Sequence, residues 1–134
     1  MKKIFLLGFI FLLAVSGCKN NSSVNDAVRI ENKLHKNIVC ILGYNYPDLT
    51  LNFIAGKAND NRFEIDSGKT IAIDTLGLCN KTTWDKYIKH NMLMLFVFDE
   101  NKLAPTGKPE DALLERYYFS YSQLMKLNGV ITIE

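Results

Sequence analysis

Histidine and cysteine are two of the residue types that can bind a metal ion or act as a nucleophile, and the chain has two histidines and three cysteines. The only histidines are His35 and His90, and neither belongs to an H-x-x-x-H or C-x-x-C pattern. The chain has no G-x-S-x-G motif, no phosphate-binding P-loop and no G-x-G-x-x-G fingerprint. We therefore expect no catalytic residue, no metal site and no cofactor, and a protein that is not an enzyme.

The N-terminal segment predicts a different chemistry, at Cys18. Two lysines precede a hydrophobic run over residues 4–15. That run is shorter than the roughly 20 apolar residues of a membrane span, as is usual for a secretory signal. Residues 15–18 then read V-S-G-C and resemble a bacterial lipobox. In a lipobox the cysteine is linked to diacylglycerol through a thioether, and the preceding signal is removed. The sequence thus predicts a signal peptide over residues 1–17 and lipidation of Cys18.

Charge and composition bear on partners and location. The whole chain has a formal charge of +2, and the two lysines of the signal account for all of it. A neutral mature protein is not expected to bind nucleic acid. Residues 18–27 contain the lipidated cysteine and a stretch rich in Asn and Ser, which is typical of a flexible tether. Lys19 is not the aspartate associated with inner-membrane retention, so we expect an anchor in the outer membrane, with the domain facing the periplasm.

Two cysteines remain once Cys18 is lipidated. Cys40 and Cys79 are an even number of thiols in an oxidising compartment, and this favours a disulfide between them. The alternative is a pair of buried free thiols, because cysteine often serves as a small core residue.

The segment Y-N-Y-P-D over residues 44–48 is the predicted partner-contact surface, through Tyr44, Tyr46 and Asp48. The proline restrains the residue before it and stiffens the loop, so its aromatic rings would lose little entropy on binding. Tyr44 continues the inward alternation of the preceding residues, and it could be buried instead. Tyr46 is therefore the stronger candidate.

Short apolar runs separated by Asn, Asp, Gly and Pro predict β-strands. The predicted strands are residues 28–31, 37–44, 51–54, 62–66, 69–74, 92–98, 113–121 and 130–133. Residues 37–44 and 92–98 are apolar on both faces, which predicts central strands. Ser67-Gly68 between two alternating segments predicts a β-hairpin.

Two short helices are predicted from capping-box patterns, T-x-x-D from Thr82 and S-x-x-Q from Ser120. Asn128-Gly129 would end the second helix, and Pro109 could begin one extra turn. The predicted fold is mainly β, a two-layer antiparallel β-sandwich with two short helices, in a single domain over residues 28–134. An α+β fold with the helices on one sheet is the alternative.

Several motifs, taken in order, resemble a group of small uncharacterised lipoproteins of Bacteroidota. They are the Y-N-Y-P-D segment, Trp84, Phe98-Asp99, E-R-Y over 115–117, S-Q-L over 122–124, L-N over 127–128 and I-T over 131–132. The C-terminal segment of that group often reads R-Y-x-L-[ST]-x-x-D-L-x-x-L-N-W-x-I-x-Y-P. This chain departs from it at Phe119, Gln123 and Gly129. The resemblance implies a shared fold and an envelope location, and it transfers no activity and no catalytic residue.

Three functional hypotheses follow from the sequence. The leading one is a membrane-anchored envelope lipoprotein, a non-enzymatic binding or structural module for an unknown protein or glycan. The second is an immunity-type lipoprotein that neutralises a periplasmic toxin. The third is a small hydrolase, which would require a deep pocket lined by convergent polar groups.

Overall fold

The computed structural model describes residues 27–49, 62–73, 77–103 and 109–134. Over these ranges the chain is mainly β, with seven strands in two sheets and sandwich-like packing, as predicted. The strands are β1 (Val28–Asn32), β2 (Ile38–Gly43), β3 (Arg62–Ile65), β4 (Thr70–Ile73), β5 (Leu93–Asp99), β6 (Leu113–Phe119) and β7 (Val130–Ile133). The helices are α1 (Lys81–Tyr87), α2 (Pro109–Ala112) and α3 (Tyr121–Lys126). The predicted signal peptide, most of the predicted tether and the predicted strand at 51–54 lie outside the described residues.

Along the described strands, the chain crosses between the two sheets four times, and this sets the topology. The four-stranded sheet has the order β3-β2-β5-β6 and is antiparallel throughout. The three-stranded sheet has the order β4-β1-β7, in which β1 is antiparallel to β4 and parallel to β7. The parallel pair departs from the predicted antiparallel sandwich. It arises because α3 carries the chain from β6 into the other sheet, where β7 runs in the direction of β1.

The central strands are those that the sequence predicts. All seven residues of β5 are buried, and the strand lies between β2 and β6. Leu93, Leu95 and Val97 belong to the main core between the sheets. Met94, Phe96 and Phe98 alternate with them and belong to a second apolar cluster. The four-stranded sheet is therefore buried on both faces along β5.

The predicted hairpin at Ser67-Gly68 is wrong. The turn forms, with Gly68 at the positive φ of 71°, but the strands on its two sides lie in different sheets. The two strands separate because the end of β1 occupies the turn. The Asn32 amide nitrogen donates to the Lys69 carbonyl at 2.9 Å, and the Gly68 amide donates to the Asn32 carbonyl at 2.9 Å.

The side chain of Asn32 joins the two sheets at this point. Asn32 is fully buried. Its Nδ2 donates to the carbonyls of Ile65 (3.1 Å) and Asp66 (3.1 Å) at the end of β3, and to the Lys36 carbonyl (2.9 Å). Its Oδ1 accepts from the Leu34 amide at 3.0 Å. The side-chain amide at the end of β1 is thus satisfied by the loop that follows it and by the end of β3 in the other sheet, as a buried polar group must be.

The helices dock through aromatic and cap interactions. The cap of α1 is Asn80, whose Oδ1 accepts from the amides of Thr82 and Thr83, so the predicted cap at Thr82 is wrong by two residues. The capping box of α3 at Ser120 is confirmed. Trp84 is fully buried, and its indole nitrogen donates to Asn91 Oδ1 at 2.7 Å.

The two ends of the sandwich are distinguished by their loops. At one end α3 closes the crossing from β6 to β7, and the Arg29 amide donates to the Gly129 carbonyl at 2.8 Å. At the other end lie residues 33–37 and the Ser67-Gly68 turn, and the Lys33 amide donates to the Ile133 carbonyl at 2.8 Å. We call these the α3 end and the turn end. The chain enters the sandwich at the α3 end, because β1 begins there.

Replacement of the buried amide tests its role. Asn32→Asp keeps the acceptor for Leu34 but replaces a donor to three carbonyls by a buried negative charge. We expect a loss of unfolding free energy on the order of 3–5 kcal/mol, measured by urea denaturation at neutral pH. The control Asn45→Asp lies at an exposed position and should change stability by about 0.5 kcal/mol or less. Equal effects of the two substitutions would contradict the assigned role of Asn32.

Candidate functional site

The three predicted contact residues lie in three different environments. Tyr44 is half-buried and packs against the main core between the sheets. Tyr46 is also half-buried, but it packs against the second apolar cluster. Asp48 is exposed, and its amide donates to the Asn45 carbonyl at 2.9 Å. The three residues therefore do not form one exposed surface.

Tyr46 forms a pair with Tyr118, which sequence reasoning did not select as a contact residue. The ring centroids are 6.1 Å apart and the planes meet at 78°, an edge-to-face arrangement. Tyr118 lies on β6 opposite Met94, and Met94 lies opposite Gly43 on β2. A Cβ on Gly43 would be 2.8 Å from Met94 Cε and 3.2 Å from the Phe96 ring. The missing side chain at residue 43 therefore lets Met94 lie close to the sheet beneath the tyrosines.

The tyrosine pair, Tyr46 and Tyr118, is accompanied by a cation. Arg116 precedes Tyr118 by two residues on the same face of β6 and lies opposite Phe96. Arg116 is exposed and makes no ion pair with any described residue. Tyr118 is 40% exposed. This edge of the sheet thus presents two phenol rings and a guanidinium, a combination common in protein interfaces.

The cysteines do not form the predicted bridge. Cys40 is a free thiol, buried in the main core, whereas Cys79 is disulfide-bonded. Burial raises the pKa of the Cys40 thiol to about 12, so it stays protonated at neutral pH and is a poor nucleophile. The possible disulfide between Cys40 and Cys79 is therefore wrong. Cys18, the only other cysteine of the chain, lies outside the described residues.

A groove opens between the two sheets at the turn end, beside β6. It has a volume of about 170 Å³ and is lined by Leu34, Lys36, Val97, Leu114, Glu115, Tyr117, Ile133 and Glu134. A β-bulge in β6 contributes to it. Glu115 lies opposite Val97 and Leu113 lies opposite Phe98, so Leu114 is the extra residue. The bulge lets Leu113 pack in the second cluster while both Leu114 and Glu115 line the groove.

The groove is negatively charged at its rim. Glu115 and Glu134 are exposed and form no ion pair with any residue that the structure describes. Burial raises the pKa of the Tyr117 hydroxyl above its ordinary value, and the carboxylates of Glu115 and Glu134 raise it further. The cation in the groove, Lys36, is already engaged, because its Nζ lies 3.1 Å from Asp99 Oδ2.

Asp99 and Lys36 form the best-buried ion pair among the described residues. The Asp99 side chain is 7% exposed and that of Lys36 is 41% exposed. The hydrogen bond from Lys36 holds the pKa of Asp99 below its ordinary value of 3.8, against the effect of burial. The Asn101 amide also donates to Asp99 Oδ1 at 3.1 Å. This carboxylate anchors the end of β5 to the loop of residues 33–37.

Two further properties of the described chain bear on function. No group of three or more His, Cys, Asp or Glu side chains in the described ranges could hold a metal ion. Among the same residues, no helix is long and apolar enough to cross a membrane. Comparison of the chain with protein-family models, with curated proteins and with solved structures gives no match.

The tyrosine pair and the groove could be predicted only in part from the sequence. Tyr118 lies on the opposite face of β6 from Tyr117 and Phe119. This alternation does not indicate which face of the sheet Tyr46, in the loop after β2, will cover. The groove depends on a bulge at Leu114 and on the approach of β7 to β6 in the folded chain. Neither feature leaves a local pattern of residues.

The lowered pKa of Asp99 predicts a specific pH dependence. Its ionised form contributes stability above pH 3.8, and that contribution is lost as the pH falls through the lower pKa of the folded state. Asp99→Asn should lower stability at pH 7 by about 1 kcal/mol, since Lys36 is partly exposed. The substitution should also reduce the loss of unfolding free energy below pH 4, measured by urea denaturation at a series of pH values from 2 to 7. The exposed control Asp66→Asn should keep the wild-type acid slope, and a wild-type slope in Asp99→Asn would contradict the assignment.

Proposed function

We propose that this chain is an envelope lipoprotein, anchored through Cys18, whose β-domain binds a partner protein without catalysing a reaction. The anchor is supported by the order of basic residues, hydrophobic run and V-S-G-C sequence at residues 15–18. The resemblance to small lipoproteins of Bacteroidota supports the same location. An outer-membrane anchor facing the periplasm is part of this proposal.

The observation that carries the binding role is the tyrosine pair. Tyrosine rings supply a large contact area and lose few rotamers on binding, which is why they are frequent at binding surfaces. Tyr46 is held against Tyr118 and the second cluster, so its ring is positioned before a partner arrives. Arg116 adds a charged group that could reach a partner's carboxylate or carbonyl.

The position of the pair favours a protein over a glycan as the partner. Tyr118 and Arg116 lie on β6, and β6 is the outer strand of the four-stranded sheet. An outer strand offers backbone donors and acceptors that an extended segment of another protein can pair with. Side-chain contacts and backbone pairing could then act together on one surface.

The anchor is tested by metabolic labelling. Cells that produce the full chain should incorporate labelled palmitate into the protein, and Cys18→Ser should abolish the label, because no other residue provides the lipobox sulfur. Cys40→Ser is the matched control and should stay labelled. A sulfur carries either the thioether or a disulfide, so the proposed anchor requires that Cys18 is not the cysteine bridged to Cys79 in the lipidated protein. An unlabelled wild-type protein in which peptide mapping joins Cys18 to Cys79 would contradict the anchor.

The binding surface is tested by site-specific photo-crosslinking in intact cells. A benzoylphenylalanine placed at Tyr118 should give a defined crosslinked species, because that ring would lie within the interface. The same probe at Tyr87, which is 43% exposed on α1, should give none. Tyr46→Ala should reduce the crosslink from residue 118 severalfold, since the probe loses its supporting ring.

Two results would contradict the binding surface. One is equal crosslinking from residues 118 and 87, which would indicate unspecific proximity in the envelope. The other is a crosslink from residue 118 that is unchanged by Tyr46→Ala in a protein whose melting temperature is also unchanged. In that case the tyrosine pair would not be the element that holds the partner.

A further inference from the structure

We propose that the groove beside β6 receives a lysine or arginine side chain from an extended partner segment, which pairs with the outer edge of β6. This inference rests on the proposed function and specifies the chemistry of the partner. The groove and the edge are adjacent, because Leu114, Glu115 and Tyr117 belong to both.

Among the described strands, β6 is at the edge of its sheet. β6 pairs with β5 on one side, and no described strand pairs with its other side. The strand has seven residues, and its exposed side chains include Leu114 and Tyr118. A long outer strand with exposed apolar side chains is a template for the addition of another strand.

The groove has the size of one long side chain. Its volume of about 170 Å³ is well below the roughly 300–1,000 Å³ of pockets that bind small-molecule ligands. The lining includes the aliphatic side chains of Leu34, Val97 and Ile133. Lysine and arginine pack their methylene stems on such surfaces and keep their charged groups at the rim.

The charges at the rim select a cation. Glu115 and Glu134 lack ion-pair partners among the described residues, while Lys36 is engaged by Asp99 at 3.1 Å. A basic side chain entering the groove would therefore meet two uncompensated carboxylates. An acidic side chain would meet the same two charges with repulsion, so the groove discriminates by the sign of the charge.

One extended segment can reach both surfaces of β6. Leu114 in the groove and Tyr118 in the tyrosine pair are four residues apart, about 13 Å along a strand. Alternate residues of an added strand point to opposite faces of the sheet. A segment paired with β6 would thus direct one side chain into the groove and another towards Tyr118 and Arg116.

The inference is tested with synthetic nine-residue peptides of alternating threonine and valine. The central residue is lysine in the first peptide, glutamate in the second and norleucine in the third. Each is titrated into the mature chain carrying Cys18→Ser, and the amide resonances are followed by NMR. We expect shifts along β6 and at Ile133, with binding of the lysine peptide about tenfold tighter than that of the glutamate peptide.

A charge-neutral variant separates the groove from the rest of the edge. The double substitution Glu115→Gln with Glu134→Gln should bring the lysine and glutamate peptides to within about twofold in affinity, since the charges that discriminate are removed. The matched control is Asp66→Asn with Asp85→Asn, which removes two exposed carboxylates elsewhere. The control should keep the tenfold preference.

Several outcomes would overturn the inference. They are equal affinity of the lysine and glutamate peptides for the wild-type chain, shifts confined to residues outside β6 and the groove, and no shift at millimolar peptide. A preference that survives the double substitution would also overturn it. These results leave the crosslinking from Tyr118 unaffected, so failure of the groove and failure of the proposed binding role are distinguishable.

Discussion

The fold depends on a buried amide that no single sheet could satisfy. Asn32 ends β1 in one sheet, and its side chain donates to the carbonyls of Ile65, the last residue of β3 in the other sheet, and of Asp66, which follows it. Burial of an amide is costly unless its donors and acceptor are satisfied, and the loop of residues 33–37 completes the set through the Lys36 carbonyl and the Leu34 amide. The crossing of the chain at Ser67-Gly68, the placement of residues 33–37 and the position of Lys36 all follow from this arrangement.

The double-sided burial of β5 determines where function can reside. A strand with no exposed residue cannot present side chains to a partner, and β2 lies beside it with most of its residues buried. Accessible chemistry is therefore displaced to β6, which carries the exposed Tyr118, Arg116 and Glu115. The buried central strands and the exposed side chains of β6 both result from the same sheet order, β3-β2-β5-β6.

The sequence predicts the strands better than their partners. β2 and β5 are recognisable as central strands because their residues are apolar on both faces, and the capping box at Ser120 identifies α3 from local chemistry alone. The pairing of β1 with β7 and the separation of β3 from β4 depend on contacts between residues far apart in the chain. No local pattern specifies such contacts. The predicted disulfide between Cys40 and Cys79 is wrong for the same reason. An even number of thiols gives no information on the distance between them.

The direction of β1 has a mechanical consequence for a domain held by its N-terminal side. The chain enters at the α3 end and β1 runs to the turn end, about 13 Å away at the usual rise of a strand. In the proposed lipoprotein, the chain from Cys18 would therefore reach the domain at the α3 end, and the groove lies at the opposite end. Because β6 and β1 belong to different sheets, tension on a segment bound along β6 would reach the N-terminal side of the domain only by passing from one layer of the sandwich to the other.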